Sequence, residues 1–456
     1  FKHPSKQGIL MITDIPQSNI LESTDSPDQK LAADGGPAAV TAGRPASFLL
    51  GPQEIGEEEI EAVTAVLRGK TLFRYADREN SVVAKFEELF KEKTQARYAL
   101  AVNSGTSALL SGLIGIGVSQ GDEVLVPAYT YIATAAAVLA VGAFPVLVEI
   151  DGSFTMDPED LEKKITPRTT AVIPVHMRGV PCDMEKIMKV ARAHNLKVLE
   201  DCAQANGGSF QGRPLGIWGD AGAFSMQHYK IITAGEGGVL VTQDEEIYGR
   251  AAVYHDSAYA FWMERQGSEQ DQQRWKDLCF LGQNFRQSEL HGALALEQLK
   301  KRDRILERTR AIKKRFWQAC EEIPGAEMEH VRDREGDCGI SLVLFMESPE
   351  EAGRVAKLLK AEGVQCGTKF SKEIPDRHFF YHWNYIMEKR TPHSSGFPWT
   401  GTDRPCQVEY TREMCPKSLA WVERSVVFAI TQTMTGAYVD DVCRAIRKVA
   451  KAMRNA

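Results

Sequence analysis

The chain of 456 residues has no uninterrupted apolar stretch of about 18 residues or more, so no segment of it reads as a membrane-spanning helix. The nearest candidate, 133–143, is short enough to be a core helix. Positive charge is not in excess: the net charge of −6 removes any electrostatic case for binding nucleic acid or an acidic membrane. The nine cysteines are odd in number, scattered and without a CxxC pair. That argues against a disulfide framework or a zinc site and predicts reduced thiols in a cytoplasmic protein. Cys202 reads most simply as a small buried residue. No internal repeat of about 20–50 residues is present. Residues 1–48 have few large apolar side chains after Ile20 and are rich in Ser, Asp, Pro, Gly and Ala, which predicts a weakly ordered arm. The arm lacks the apolar core of a signal peptide, and Met11 is a candidate native start.

What is present suits a soluble globular chain long enough for two domains, with 43% hydrophobic and 25% charged residues. Strand-length apolar segments occur at 98–102, 123–127, 145–149, 171–175, 196–200, 222–226 and 238–242. Most are separated by helix-length patterns, among them 108–117, 133–141, 158–164 and 184–194, and Asp157 before Pro158 reads as an N-cap and first helical residue. Alternation of this kind predicts crossover units and a mostly parallel sheet. The last two segments leave no room for a crossover helix, so one of them is expected to run antiparallel. A helix is also expected from Gly56 to Leu67, interrupted at Thr71–Tyr75. Further on, 255–285 reads as a long irregular loop, 289–321 as a linking helix, 340–346 as a strand, and 349–362 and 438–453 as helices.

Lys230 sits on a polar turn between two apolar strands, where a lysine has no packing role that leucine would not fill better. A partly desolvated lysine loses proton affinity and becomes a nucleophile towards carbonyls. Upstream, the run 196–200 delivers Asp201 and Gln204 at a strand's C-terminal end, the edge where ligand groups collect in open α/β sheets. Asn103-Ser-Gly-Thr-Ser107 opens a helical pattern after another strand, and small residues there make an anion site suited to phosphate. Pro127-Ala-Tyr-Thr-Tyr131 sets aromatics near the same edge. Phosphate cradle, aromatic lid, carboxylate and lysine are the four parts of a pyridoxal phosphate site.

These residues resemble the DegT/DnrJ/EryC1/StrS group of sugar aminotransferases, within the fold-type I pyridoxal phosphate enzymes. The resemblance also rests on Pro174-Val-His-Met-Arg-Gly179, Glu200-Asp-Cys-Ala-Gln204, Phe224-Ser-Met-Gln-His-Tyr-Lys230, Gly235-Glu-Gly-Gly238 and Gly282-Gln-Asn-Phe-Arg-Gln-Ser-Glu-Leu290. The motifs occur in the family's order over roughly residues 51–440. The resemblance implies a large domain (49–295) built on a seven-stranded, mostly parallel sheet and a smaller α/β C-terminal domain (296–456). It further implies a homodimer with shared active sites, an amino-acid donor and a sugar-type acceptor, and no nucleic-acid, membrane or metal partner. The aromatic, histidine-rich region Ser371–Pro405, with Leu72-Phe-Arg-Tyr75 and Tyr254-His-Asp256, is similar to the branch making 8-amino-3,8-dideoxy-octulosonate.

The resemblance assigns roles. Lys230 carries the cofactor and shuttles the proton, and Asp201 pairs with the pyridinium N–H. Gly105, Thr106 and Ser225 hold the phosphate, Tyr129 stacks on the ring, Gln204 bonds the ring hydroxyl, and Asn284 reaches the phosphate of the neighbouring subunit. Arg74, Tyr75, His176 and His382 are substrate candidates; a surface turn accounts equally for the first two, and a satisfied structural histidine for the third. His228 lies close to the lysine position that a dehydratase subgroup fills with histidine, but Lys230 occupies that position here. The expected activity is therefore amino transfer from glutamate or glutamine to a keto or aldehyde carbon of a sugar. The alternatives are a dehydratase or lyase on the same scaffold, or a regulatory protein that binds the cofactor without turnover.

Overall fold

A computed structural model describes residues 30–77, 79–258 and 268–455. Its large sheet has seven strands: β1 Tyr98–Val102, β2 Glu123–Pro127, β3 Phe144–Val148, β4 Thr169–Val172, β5 Lys197–Asp201, β6 Ala221–Ser225 and β7 Gly238–Thr242. Six strands lie within one residue of their expected positions, and β4, expected at 171–175, starts two residues earlier and ends three earlier. The spatial order is β1-β7-β6-β5-β4-β2-β3. From β6 to β3 neighbouring strands are parallel, whereas β7 is antiparallel to both β6 and β1. This identifies β7 as the reversed member of the closely spaced pair, entered through the turn that carries Lys230.

Helices Gly105–Gly115, Ala133–Ala140, Pro158–Lys163 and Met184–Ala193 supply the crossovers, and Asp157 accepts from Glu159 N–H as N-cap. Strands β2, β3 and β6 are buried at every residue, so they read as continuous apolar runs rather than alternating ones. The helix Glu289–Cys320 follows, capped by Ser288, and at 32 residues extends about 48 Å. The expected division at 295–296 falls inside this unbroken helix, so the two domains share a rod rather than a flexible linker. The small domain carries a four-stranded antiparallel sheet of Glu327–Met328, Ser341–Phe345, Ser425–Ala429 and Cys366–Thr368, in that spatial order. Helices Pro349–Ala361 and Gly436–Arg454 pack on it around Phe316, Leu344, Phe428 and Ile446.

Two expectations are corrected. The arm through residue 48 is tied down over its described part: the Glu362 carboxylate accepts from the N–H groups of Ala32 and Ala39 (2.8 Å each), and Asp441 from those of Thr41 and Ala42 (2.7 and 2.8 Å). Residues 1–29 of that expectation lie outside the described residues. The stretch 255–285 is not a continuous loop either, for Glu269–Asp277 is a helix whose N-terminus is closed by a reciprocal Ser268–Asp271 capping box.

One carboxylate joins the C-terminal region to the large domain. Glu149, 4% exposed just after β3, accepts from Lys417 N–H (3.1 Å) and Ser418 N–H (2.7 Å), and Ser418 Oγ accepts from Ile150 N–H (2.9 Å). Removing a buried charged acceptor leaves its donors unsatisfied. Glu149→Ala is expected to lower the unfolding free energy by about 3 kcal/mol; a urea midpoint like that of the parent would show that the junction does not depend on it.

Candidate active site

The strands' C-terminal ends bring the site together. β1 runs into Asn103, and Ser104 adopts an extended conformation and caps the next helix, its Oγ accepting from Ser107 N–H (3.0 Å). The Ser107 hydroxyl donates to Asn103 Oδ1 (2.6 Å). The first N–H groups of that helix, on Gly105 and Thr106, have no intrahelical acceptor and form an anion-binding end. A Cβ on Gly105 would lie 2.7 Å from Ser225 Cβ and 3.0 Å from its Oγ, so glycine is what lets the β6 serine approach the helix end. The structure thus places Gly105, Thr106 and Ser225 side by side.

Asp201 closes β5 and is 4% exposed. Its Oδ1 accepts from Ala203 N–H (3.0 Å) and its Oδ2 from the Thr134 hydroxyl (2.8 Å). Burial pushes its pKa above the ordinary aspartate value, against the opposing pull of those donors and of the Lys230 charge. Lys230 responds in the other direction: desolvation pushes its pKa down, opposed by the charges of Asp201 and Glu236. Each group therefore feels the other across the cleft, and burial favours the neutral form of both. Behind Asp201, Glu200 is fully buried and accepts from the N–H groups of Gly216 (2.9 Å), Trp218 (2.7 Å) and Gly219 (2.8 Å).

Several expected residues have other duties. His176 is fully buried; its Nε2 lies 3.1 Å from Glu200 Oε2, its Nδ1 accepts from Cys182 N–H (3.1 Å), and its own N–H donates to the Asp201 carbonyl (3.1 Å). It braces the end of β5 rather than contacting substrate. Ligand atoms of His176, Glu200 and Cys202 lie within 4.8 Å of one another, but the Glu200 oxygens are already engaged by three N–H donors and the histidine. His382 uses both ring nitrogens locally, with Nδ1 accepting from Asp376 N–H (3.2 Å) and Nε2 facing the Ser371 carbonyl (2.9 Å). Arg74, 5% exposed, donates to the Ala101 carbonyl (2.7 Å) and to Glu87 (2.6 Å), and Tyr75 Oη meets His255 Nε2 at 3.0 Å. These two line a separate cavity of about 390 Å³ with Glu87, Tyr98, Tyr248 and Trp275, which shares no residue with the Lys230–Asp201 cluster.

Tyr129 presents no face for stacking. Its ring is fully buried against Phe154 and Phe379, and its hydroxyl accepts from Arg178 Nη2 (2.9 Å). Tyr131, two residues on, is 39% exposed and sits 5.3 Å from the His378 ring, so the available aromatic surface belongs to it. Gln204 Oε1 accepts from Arg178 N–H (3.0 Å), which fixes the orientation of its amide. Asn284 is exposed, and its Oδ1 accepts from Arg286 N–H (3.4 Å). The 371–405 region packs onto the same edge: Thr130 N–H donates to the His378 carbonyl (2.8 Å) and Ile132 N–H to that of Arg377 (2.9 Å), while Phe379, Phe380 and Trp383 are fully buried. Sequence reasoning missed Thr134, Tyr131 and Glu200; of these, Tyr131 lay inside a motif already singled out for aromatic contact.

The fold, with this lysine and acid at the strand ends, is that of the fold-type I pyridoxal phosphate transferases. The chain belongs to the DegT/DnrJ/EryC1/StrS aminotransferase family, whose sequence profile matches residues 53–398. It is 40% identical over 231 residues to a GDP-perosamine synthase of Escherichia coli O157:H7, covering 50% of this chain and 60% of that protein. It is 33% identical over 405 residues to the spore coat polysaccharide biosynthesis protein SpsC of Bacillus subtilis, covering 87% of this chain and 95% of that one. Among solved structures it is similar to an aminotransferase from Psychrobacter cryohalolentis, with 27% identity and a TM-score of 0.70 over 88% of this chain and 98% of that one. The family's cofactor is pyridoxal 5′-phosphate, and the residues here fit it: an open helix end backed by Ser225, a buried acid and a desolvated lysine.

Because Gly105 admits no Cβ beside Ser225, Gly105→Ala forces the phosphate cradle apart, at an overpacking cost of about 1–3 kcal/mol. A spectroscopic cofactor titration is expected to show affinity reduced about tenfold or more, alongside the modest drop in thermal stability that the overpacking implies. Unchanged affinity would place the phosphate elsewhere.

Proposed function

We propose that this chain is a homodimeric, cytoplasmic aminotransferase that moves an amino group from glutamate or glutamine to a keto or aldehyde carbon of a sugar-type acceptor. The observation that carries the reading is Lys230, on the turn between β6 and β7 and within electrostatic reach of the buried Asp201 carboxylate that closes β5, beside an anion-binding helix end. Family membership supports it, as does the similarity to a perosamine synthase and to a polysaccharide biosynthesis protein. Among the described residues no helix is long and apolar enough to cross a membrane.

Bound pyridoxal phosphate supplies an electron sink for the carbon from which a proton is removed. The chain supplies everything around it. The N–H groups of Gly105 and Thr106 and the Ser225 hydroxyl hold the phosphate. Asp201, kept in place by Thr134 and Ala203, holds a proton on the ring nitrogen. Lys230 Nζ, with its proton affinity lowered by burial, takes the proton from the substrate carbon and returns it at the neighbouring position. In this reading Gln204 would meet the ring hydroxyl, Tyr131 the ring face, and Asn284 the phosphate in the neighbouring subunit.

The test is a single-turnover measurement on cofactor-loaded protein with glutamate or glutamine and no acceptor. The parent protein is expected to release one equivalent of 2-oxo acid per site and to turn over only when a keto sugar is added. Lys230→Ala should release none, and Asp201→Asn should slow the step about a hundredfold or more while retaining cofactor. Absence of 2-oxo acid from the loaded parent with either donor would dismiss amino transfer in favour of a dehydratase, a lyase or a binding protein without turnover.

A further inference from the structure

Two cations beside the site, Arg178 and Lys369, make no salt bridge among the described residues. Arg178 follows β4 on a turn where its own backbone is left-handed (φ 57°), and Gly179 follows at φ +84°, where an added Cβ would lie 2.8 Å from Cys338 Cβ. The turn is therefore fixed. Its backbone N–H bonds Gln204 and its Nη2 bonds Tyr129, while its Nε is buried with no hydrogen-bond partner. Lys369 comes from the small domain, directly after the strand Cys366–Thr368, and is partly buried. Among the described residues neither cation makes an ion pair. The acid that bears on both is Asp376, already bonded to the backbone N–H (2.8 Å) and Nδ1 (2.9 Å) of His378.

Phe370, next to Lys369, packs on Phe379, which packs on the Tyr129 ring that Arg178 bonds, so the two cations flank one aromatic cluster. Lys369 is pushed down to about 8, first by the Arg178 charge and then by burial; Lys360 adds to this and Asp376 opposes it. Partly buried like charges offset only by Asp376, whose carboxylate is bonded to His378, remain unfavourable, and one anion between them would relieve both the repulsion and the orphaned N–H. Arg178 is bonded to Gln204, three residues beyond Asp201, and to Tyr129 on the same sheet edge, so the gap adjoins the cofactor cleft. A guanidinium with a free N–H next to an ammonium matches a carboxylate.

We propose that Arg178 and Lys369, one from each domain, form a carboxylate-binding subsite that orients the acid group of a substrate beside the Lys230–Asp201 cleft. The proposal rests on the aminotransferase reading for the identity of the substrate, since the carboxylate belongs either to the amino donor or to an acidic sugar acceptor. Both residues are positioned to contact substrate, and neither has a proton-transfer role.

The test is calorimetric titration of cofactor-loaded protein with 2-oxoglutarate and with glucuronate, each against an uncharged counterpart, dimethyl 2-oxoglutarate and glucose. At least one acid should bind the parent, and Arg178→Gln and Lys369→Met should each weaken it about tenfold to a hundredfold without affecting the neutral ligand. Loss for 2-oxoglutarate alone assigns the subsite to the donor, and loss for glucuronate alone to the acceptor. An anion raises the pKa of the lysine it binds, so binding should be full below pH about 8 and decline above it. That dependence should disappear in Lys369→Met, a partly exposed substitution that does not disturb the Arg178 turn. No acid binding to the parent, unchanged affinity in both variants, or equal loss for acid and neutral ligand would overturn the proposal. None of these measurements needs turnover, so failure of amino transfer with intact acid binding would count against the proposed function alone.

Discussion

The opposed displacement of Lys230 and Asp201 is the constraint on which the rest of the site depends. Desolvation makes both charges expensive; the Asp201 charge is the main compensation for Lys230, whereas Asp201 is compensated first by the Ala203 N–H and the Thr134 hydroxyl and then by the Lys230 charge. Exposure would return the lysine to an ordinary ammonium and the aspartate to an ordinary carboxylate, and neither would be suited to hold or move a proton at a cofactor. The fold holds Asp201 buried and Lys230 partly buried by ending β5 and β6 at adjacent positions in the sheet, then reversing the chain through residues 226–237 into β7.

That burial is maintained by polar groups the reaction never touches. Glu200 gathers three backbone N–H groups of the 216–219 loop and one histidine, so the strand that presents Asp201 cannot rotate without exposing four donors. Thr134 reaches back from the next helix to the Asp201 carboxylate and is itself within 2.8 Å of Thr130. The 376–380 segment, paired with 128–132, covers the same edge from the C-terminal side. Carboxylates whose oxygens are saturated by backbone donors recur across the molecule, in Glu149, Glu200, Glu362 and Asp441, and they tie distant segments together where a loop would otherwise move.

The seven strands were legible because each is a short apolar run bounded by turn residues, and the crossover helices because their apolar spacing is clear. The reversal at β7 followed from chain length alone. Lys230, Asp201, Gly105, Thr106 and Ser225 could be grouped because strand ends share an edge in such sheets. Roles set by long-range partners could not be seen. Arg74 and His382 look available until Glu87 and the Ser371 carbonyl take up their donors. Tyr129 and Tyr131 are indistinguishable in sequence, and only the packing of Phe154 and Phe379 shows which ring is covered. The docked part of the arm depends on Glu362, 330 residues from Ala32. By contrast, the helix at 269–277 was announced by its Ser268–Asp271 box and was overlooked because the stretch is polar.

The measurement that bears most directly on this account is borohydride reduction of the cofactor-loaded protein, followed by peptide mapping of the modified lysine. If the desolvated amine facing Asp201 is the reactive one, the label will fall on Lys230 alone, and the protein will then resist loss of cofactor on dialysis. Label on another lysine, or spread over surface lysines with Lys230 unmodified, would contradict the central claim and detach the cleft described here from the cofactor.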